Sequence, residues 1–573
     1  MRSTVQALLL ALSATWLCSA STAAQSLDKG LAIVPEDAVG VVVVPSLMRL
    51  NADLTDMLER SGRSEAVIAG RPIDMLAAQL GLSAAFDDRG SFMAWWAGNG
   101  EDEMLVFAVP VADAERFLNA NLTKEESIAP DAWRWGTGEI VYARAVDKHV
   151  LLSGNAELVR DYVAGAGIGP KIKEDFGDEA FTMMDAADIS IWTGSAGLKE
   201  MRERGTAGAD IAVEEQRAQG MSEEMAREIV ERANNLGEGL QEVLITINAD
   251  ALAMAVKTVT RFDPESALGQ ATLGGPATSN GELLGRLPLN PYYMALGVDI
   301  SGLGGVDRFL ELAKLASIEE LEPPQWVLDM GTHLQGVQFA LYPSKLGLAM
   351  GGILNDSALV VETTDPAMAE NLLKDAITGL DGVDGMIRRT TSWTQEKKLS
   401  NGSIASEFTV KESLLPKSER PEGSRSGDWA MQNMINGLIF GSKGMQGLAH
   451  TVPDGLVMTF SRRPDVFQRA LDAASGGESL STNSIISSMR GWMVKNPDVE
   501  VFIDIGRISK LVNQMAKIIP GANGMTLPIP EDMPPIGFSM SVENSRVDTA
   551  TVIPSEVIGA GIGTAMRQGI GAR

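Results

Sequence analysis

Three histidines, His149, His333 and His450, have the first claim to chemistry in this chain of 573 residues. A histidine zinc site needs closely spaced ligands, as in His-Glu-x-x-His. These three are widely separated, so isolated strand or loop histidines are expected and zinc hydrolysis is not. A serine nucleophile on a Gly-x-Ser-x-Gly elbow fares no better. The nearest phrase, "TGSAG" around Ser195, lacks the first glycine, and Gly194 and Gly197 read as the turn between a strand at Ile189 to Trp192 and its helix. "GLIFGSKG" from Gly437 misses phosphate-loop spacing by one residue and puts Gly444 where the hydroxyl belongs. "GAGIG" from Gly559 lacks the third glycine of a dinucleotide fingerprint. "GLDGVDG" offers Asp381 and Asp384 without the alternating acids and distal glutamate of a calcium loop, so a tight turn is expected. Neither a catalytic residue nor a metal ligand nor a cofactor is assigned.

The aromatics are the ligand-binding candidates. Trp95 and Trp96 are adjacent and on a strand must point to opposite faces, whereas Trp133 and Trp135 must share one. Exposed, they would stack on sugar rings or close over an apolar molecule; under a covered sheet they would simply be core. The 28 methionines carry the same choice between an adaptable apolar groove and core filling.

The elements that position these residues follow a recurring grammar. "PEDAVGVVVVPSL" from Pro35, "PYYMALGVDISGL" from Pro291 and "PDVEVFIDIGRI" from Pro497 each combine a strand-length run rich in β-branched or aromatic residues with a turn and then a helical pattern. "ADISIWTGSAGL" is a fourth version without the proline. A second phrase recurs in "VLLSGNAELVRDYV", "LVVETTDPAMAENLL" and "LVMTFSRRPDVFQRAL", where Asn155 and Asp365 are placed to cap helices and Arg463 is not. "FAVPVADAERFL" and "VTRFDPESAL" repeat that junction. Between the two phrase types lie paired strand-like runs expected to form hairpins, among them "GVQFALYPSK" with "GLAMGGIL".

The expected fold class is α+β: mixed, mainly antiparallel sheets with helices packed on a face, in about four divergent units. Their spans are 25–170, 171–285 with a charged helical insertion, 286–480 with a polar loop over 409–428, and 481–573. Residues 1–24 read as a signal peptide: Arg2, an apolar stretch to Leu17, then small residues, with cleavage expected after Ala24. The one cysteine, Cys18, lies within it, so the exported chain would have neither disulfide nor thiolate site. No later apolar run reaches the length of a membrane span. A net charge of -27 repels phosphate backbones, which argues against nucleic acid as a partner.

The export signal, the "PEDAVGVVVVPSL" opening, the hairpins and the "VLLSGNAELVRDYV" phrase together resemble exported bacterial proteins grouped as a domain of unknown function with repeated strand-helix units. That resemblance implies no activity and no site residues. The leading expectation is a non-enzymatic binding or structural protein of the periplasm or cell surface, with a glycan, an apolar ligand or an envelope protein as the partners to consider. Two rivals are a carrier or sensor of apolar molecules, which requires a cavity between sheet and helices lined by Met, Leu and Trp, and a hydrolase of envelope polymers, which requires a histidine within hydrogen-bond reach of a serine or carboxylate.

Overall fold

The computed structural model describes residues 27–62, 85–97, 105–135, 139–207, 239–275, 283–316, 325–420, 426–518, 529–530 and 532–567, with isolated positions between 213 and 237. The expected signal peptide and more than half of the charged helical insertion over 214–243 lie outside them, and the end of that insertion, from Leu240, is strand and not helix. The described chain forms two compact units: one runs to Gly269 and includes the residues from Val552 onward, and the other spans Gln270–Thr551.

In the first unit the elements are α1 (Leu27–Leu31), β1 (Ala38–Val44), α2 (Leu47–Arg60), β2 (Phe92–Ala97), β3 (Leu105–Pro110), α3 (Ala114–Asn121), β4 (Leu122–Lys124), β5 (Ala132–Trp135), β6 (Glu139–Val146), β7 (His149–Ser153), α4 (Ala156–Arg160), α5 (Gly169–Ala186), β8 (Ile189–Thr193), α6 (Ser195–Ala207), β9 (Leu240–Ala249), β10 (Ala253–Phe262) and α7 (Ala267–Ala271). The sheet order is β4-β5-β6-β7-β3-β2-β1-β8-β9-β10, antiparallel throughout. All seven residues of β1 are buried. The pleat explains this: Val42 and Val44 enter a core with α2 and α3, while Val41 and Val43 enter a second core with α1 and α5. Helices therefore cover both faces rather than the single face expected, which is why the valine run is continuous instead of alternating.

The second unit contains β11 (Met294–Asp299), α8 (Val306–Ala316), α9 (Gln325–Met330), β12 (Leu334–Leu341), α10 (Leu348–Gly351), β13 (Ala358–Thr363), α11 (Pro366–Thr378), β14 (Gly382–Asp384), β15 (Ile387–Lys398), β16 (Ile404–Leu414), α12 (Ser426–Phe440), β17 (Met445–Val452), β18 (Gly455–Thr459), α13 (Pro464–Ala474), α14 (Ser484–Arg490), β19 (Val499–Ile503), α15 (Ile505–Ile518) and β20 (Ile536–Glu543). Strand β21 (Arg546–Pro554) follows a turn in which Asn544 and Ser545 both have positive φ, and α16 (Ser555–Arg567) continues from it. The sheet order is β14-β15-β16-β17-β18-β13-β12-β11-β19-β20, again antiparallel.

The two orders match strand for strand from β4/β15 to β9/β20. Within each unit two strand-helix-hairpin blocks stand back to back, joined through their first strands β1 and β8, or β11 and β19. The recurring phrases mark those first strands, each leading into a helix. Two local expectations differ from the structure. "GLAMGGIL" is not a strand, because Gly347 and Gly352, both at positive φ, bracket the short helix α10; β12 pairs instead with β13. The polar loop drawn over 409–428 begins inside β16 and ends inside α12, since the alternation that buries Phe408 and Val410 carries the strand on to Leu414.

Candidate functional site

The tryptophans sit where the pleat sends them. Trp95 is 2% exposed in the α1/α5 core, and Trp96 packs into the α2/α3 core on the opposite face. Trp96 covers Gly40, where a Cβ would come within 2.0 Å of its ring. Trp133 and Trp135 both join the α2/α3 core. All four pack into or against the cores of the first unit, and none of them lines the cavity described next.

An opening of the required kind lies in the second unit: a cavity of about 330 Å³ between sheet and helices. Trp326 and Met330 of α9 and Ala369, Leu373 and Ile377 of α11 form its helical walls. Leu359 and Val361 of β13, Phe408 of β16 and Leu456 and Met458 of β18 form its floor. Phe408 is fully buried and stacks on its cross-strand partner Trp393, centroids 6.2 Å apart. Ala376 and Leu380, at the C-terminal turn of α11, are the exposed lining residues and mark the mouth. Among the described residues that line it, none is ionisable. The volume lies toward the lower end of the roughly 300–1,000 Å³ typical of small-molecule pockets.

The matched topologies show how this space arises. Asp113 and Asp365 cap α3 and α11, accepting from Arg116 N and Met368 N at 3.0 Å each. Counting from those caps, Phe117 and Ala369 are equivalent, as are Phe107 and Leu359. The ladders agree: Phe107 pairs with Leu152 and Leu359 with Met458. Trp133, opposite Val141, corresponds to Phe408, opposite Gly447. Phe117, Phe107, Trp133 and Val141 are thus each matched by a smaller residue in the second unit, and Leu152 by Met458 of similar size. A Cβ on Gly447 would lie 2.3 Å from the Phe408 ring, so this glycine lets the ring drop against β17. The first unit fills its core with Phe117 at 0% exposure, and the second has Ala369 there.

Other sites offer less. A groove of about 530 Å³ beside Tyr292, Asp504, Arg507 and Pro534 is larger, but its one cation, Arg507, is held by Asp504 at 2.8 Å. His149 is buried with Nε2 2.9 Å from the Ser91 carbonyl oxygen, and burial pushes its pKa down. His333 Nδ1 meets the hydroxyl of the exposed Thr364 at 2.9 Å, which is neither the serine nor the carboxylate that the hydrolase reading requires. Ser195 begins α6. Asp381 accepts from Thr391 N, and Asp384 pairs with Arg389. Among the described residues no group of three or more His, Cys, Asp or Glu is placed to hold a metal ion, and no helix is long and apolar enough to cross a membrane.

No family model and no curated protein matches the chain. Solved structures described as crystal forms III and IV of TP0453 are similar to it over 49% of its length and 98% and 96% of theirs. Identity is 10% and 11% and the TM-score is 0.23 in both cases.

The cavity-lining residues were not among the candidates read from the sequence. Adjacency drew attention to Trp95 and Trp96, whereas the cavity depends on an absence of bulk at Ala369 and Leu359. That signal becomes visible only when "VADAERFL" and "TTDPAMAENLL" are aligned on their capping aspartates.

Proposed function

We propose that this is an exported, non-enzymatic binding protein that holds an apolar molecule in the cavity of its second unit. The observation that carries the reading is the pairing of Ala369 with Phe117: one topology in which a buried phenyl ring fills this place in the first unit and a hollow lies at it in the second. Burying an apolar ligand there is favoured at about 25 cal/mol per Å² of surface removed from water. The lining supplies Trp, Met, Leu and Phe, whose soft and adaptable contacts suit a flexible hydrocarbon. The N-terminal Arg2, apolar stretch and Ala23-Ala24 support export.

The test is native mass spectrometry of the protein isolated from its own host, beside its Ala369→Phe variant. A co-purifying apolar molecule present in the wild type and absent from the variant is the expected result. Wild-type protein without any such molecule, together with equal uptake of an environment-sensitive apolar dye by both forms, overturns the proposal.

A further inference from the structure

The cavity also constrains which apolar molecule it takes. We infer that its ligand is a single-chain amphiphile whose head is neutral or cationic, and that the site discriminates against a free carboxylate; this rests on the cavity being the binding site. Because no described lining residue is ionisable, a charged head that enters meets no opposite charge among them to offset its desolvation and is favoured at the mouth. The mouth lies at Ala376 and Leu380, where α11 ends, so the head meets the negative end of a helix whose last residues precede the Gly379 cap.

The side chains there carry the same sign. Asp375, Asp381 and Asp384 are exposed on either side of Leu380. Asp381 is tied to the sheet by Thr391 N at 3.0 Å, which fixes its carboxylate beside the opening. Two cations face this group. Arg389 is already held by Glu412 at 2.9 Å and by Asp384 at 3.1 Å, and Lys374, half-buried on α11, precedes Asp375 in the chain. A carboxylate head would thus add a like charge beside a helix C-terminus and three aspartates, whereas a quaternary ammonium would meet an excess of negative charge.

The experiment titrates the full-length exported protein at low salt and neutral pH with three probes of one chain length, each below its micelle concentration: dodecyltrimethylammonium, dodecyl maltoside and dodecanoate. Calorimetry is expected to show the first two binding and dodecanoate weaker by about tenfold, with salt narrowing the gap. Asp375→Lys combined with Asp381→Asn is expected to close or reverse the difference, while Ala369→Phe abolishes binding of all three. Dodecanoate binding as tightly as dodecyltrimethylammonium, with Ala369→Phe still blocking both, overturns the head-group inference and leaves the cavity reading standing. Binding that Ala369→Phe leaves untouched overturns both.

Discussion

Phe117 and Ala369 occupy equivalent places in two copies of one topology, each four residues beyond the aspartate that caps its helix. The phenyl ring in one copy and the methyl in the other decide whether the space between helix and sheet is core or cavity.

Replacing Ala369 by Phe is expected to raise stability as well as block binding. The ring enters space that the equivalent residue already fills in the first unit, and filling a cavity contributes about 0.5–2 kcal/mol. The measurement is the thermal midpoint of the apo protein. A lower midpoint would mean that Trp326 or Leu373 obstructs the ring.

The reverse change, Phe117→Ala, is expected to cost about 3–5 kcal/mol, because Phe117 is fully enclosed and its neighbours Trp133 and Phe107 belong to a packed core. Urea unfolding monitored by tryptophan fluorescence checks it. Added apolar ligand should recover part of the loss if the new space resembles that of the second unit.

Gly40→Val is expected to destabilise by about 1–3 kcal/mol, since even a Cβ would press 2.0 Å from Trp96 Cζ2 and the ring is walled in by the α2/α3 core. Pairing it with Trp96→Leu should restore much of the stability, read as a double-mutant cycle.

Asp498 gives a pH prediction. Burial is the main cause that raises its pKa from 3.8 to about 6; Asp299 and Glu543 add to the rise, and the hydrogen bond from Val542 N opposes it. The folded state therefore holds this proton more tightly than the unfolded chain. The contribution is fully present below about 3.8, is lost as pH climbs through about 6, and is level above that. Asp498→Asn retains a carbonyl for Val542 N and is expected to be more stable than wild type at pH 7.5, with a flatter profile between pH 4 and 6. Chemical denaturation across that range is the check. In the first unit Asp188 accepts from Ala249 N as Asp498 does from Val542 N, but is also paired with Arg49 at 3.0 Å. Arg49→Met there is expected to cost about 3–5 kcal/mol by leaving the buried Asp188 without its cationic partner.

Much of this architecture was legible because it is written in local rules. Valine runs between turn residues fix β1, and the Asn155 and Asp365 caps fix the starts of α4 and α11, whereas Arg463 at the start of α13 makes no side-chain cap, as its chemistry requires. Where local rules compete, the reading was less secure. Asp263 and Pro264 look like a helix start but make a turn, with Asp263 accepting from Glu265 N, and only the short α7 follows. The cavity was not legible at all from single residues. It depends on which side chains β13, β16 and β18 bring under α11, strands whose adjacency is set by the ladders and not by their order in the chain.

The back-to-back blocks carry a last implication. One polypeptide therefore carries the same strand order with two fillings, a phenyl ring at Phe117 and a methyl at Ala369. Substitutions at Leu359, Ala369 and Phe408 would reshape the proposed binding space without altering any residue of the first unit's two cores.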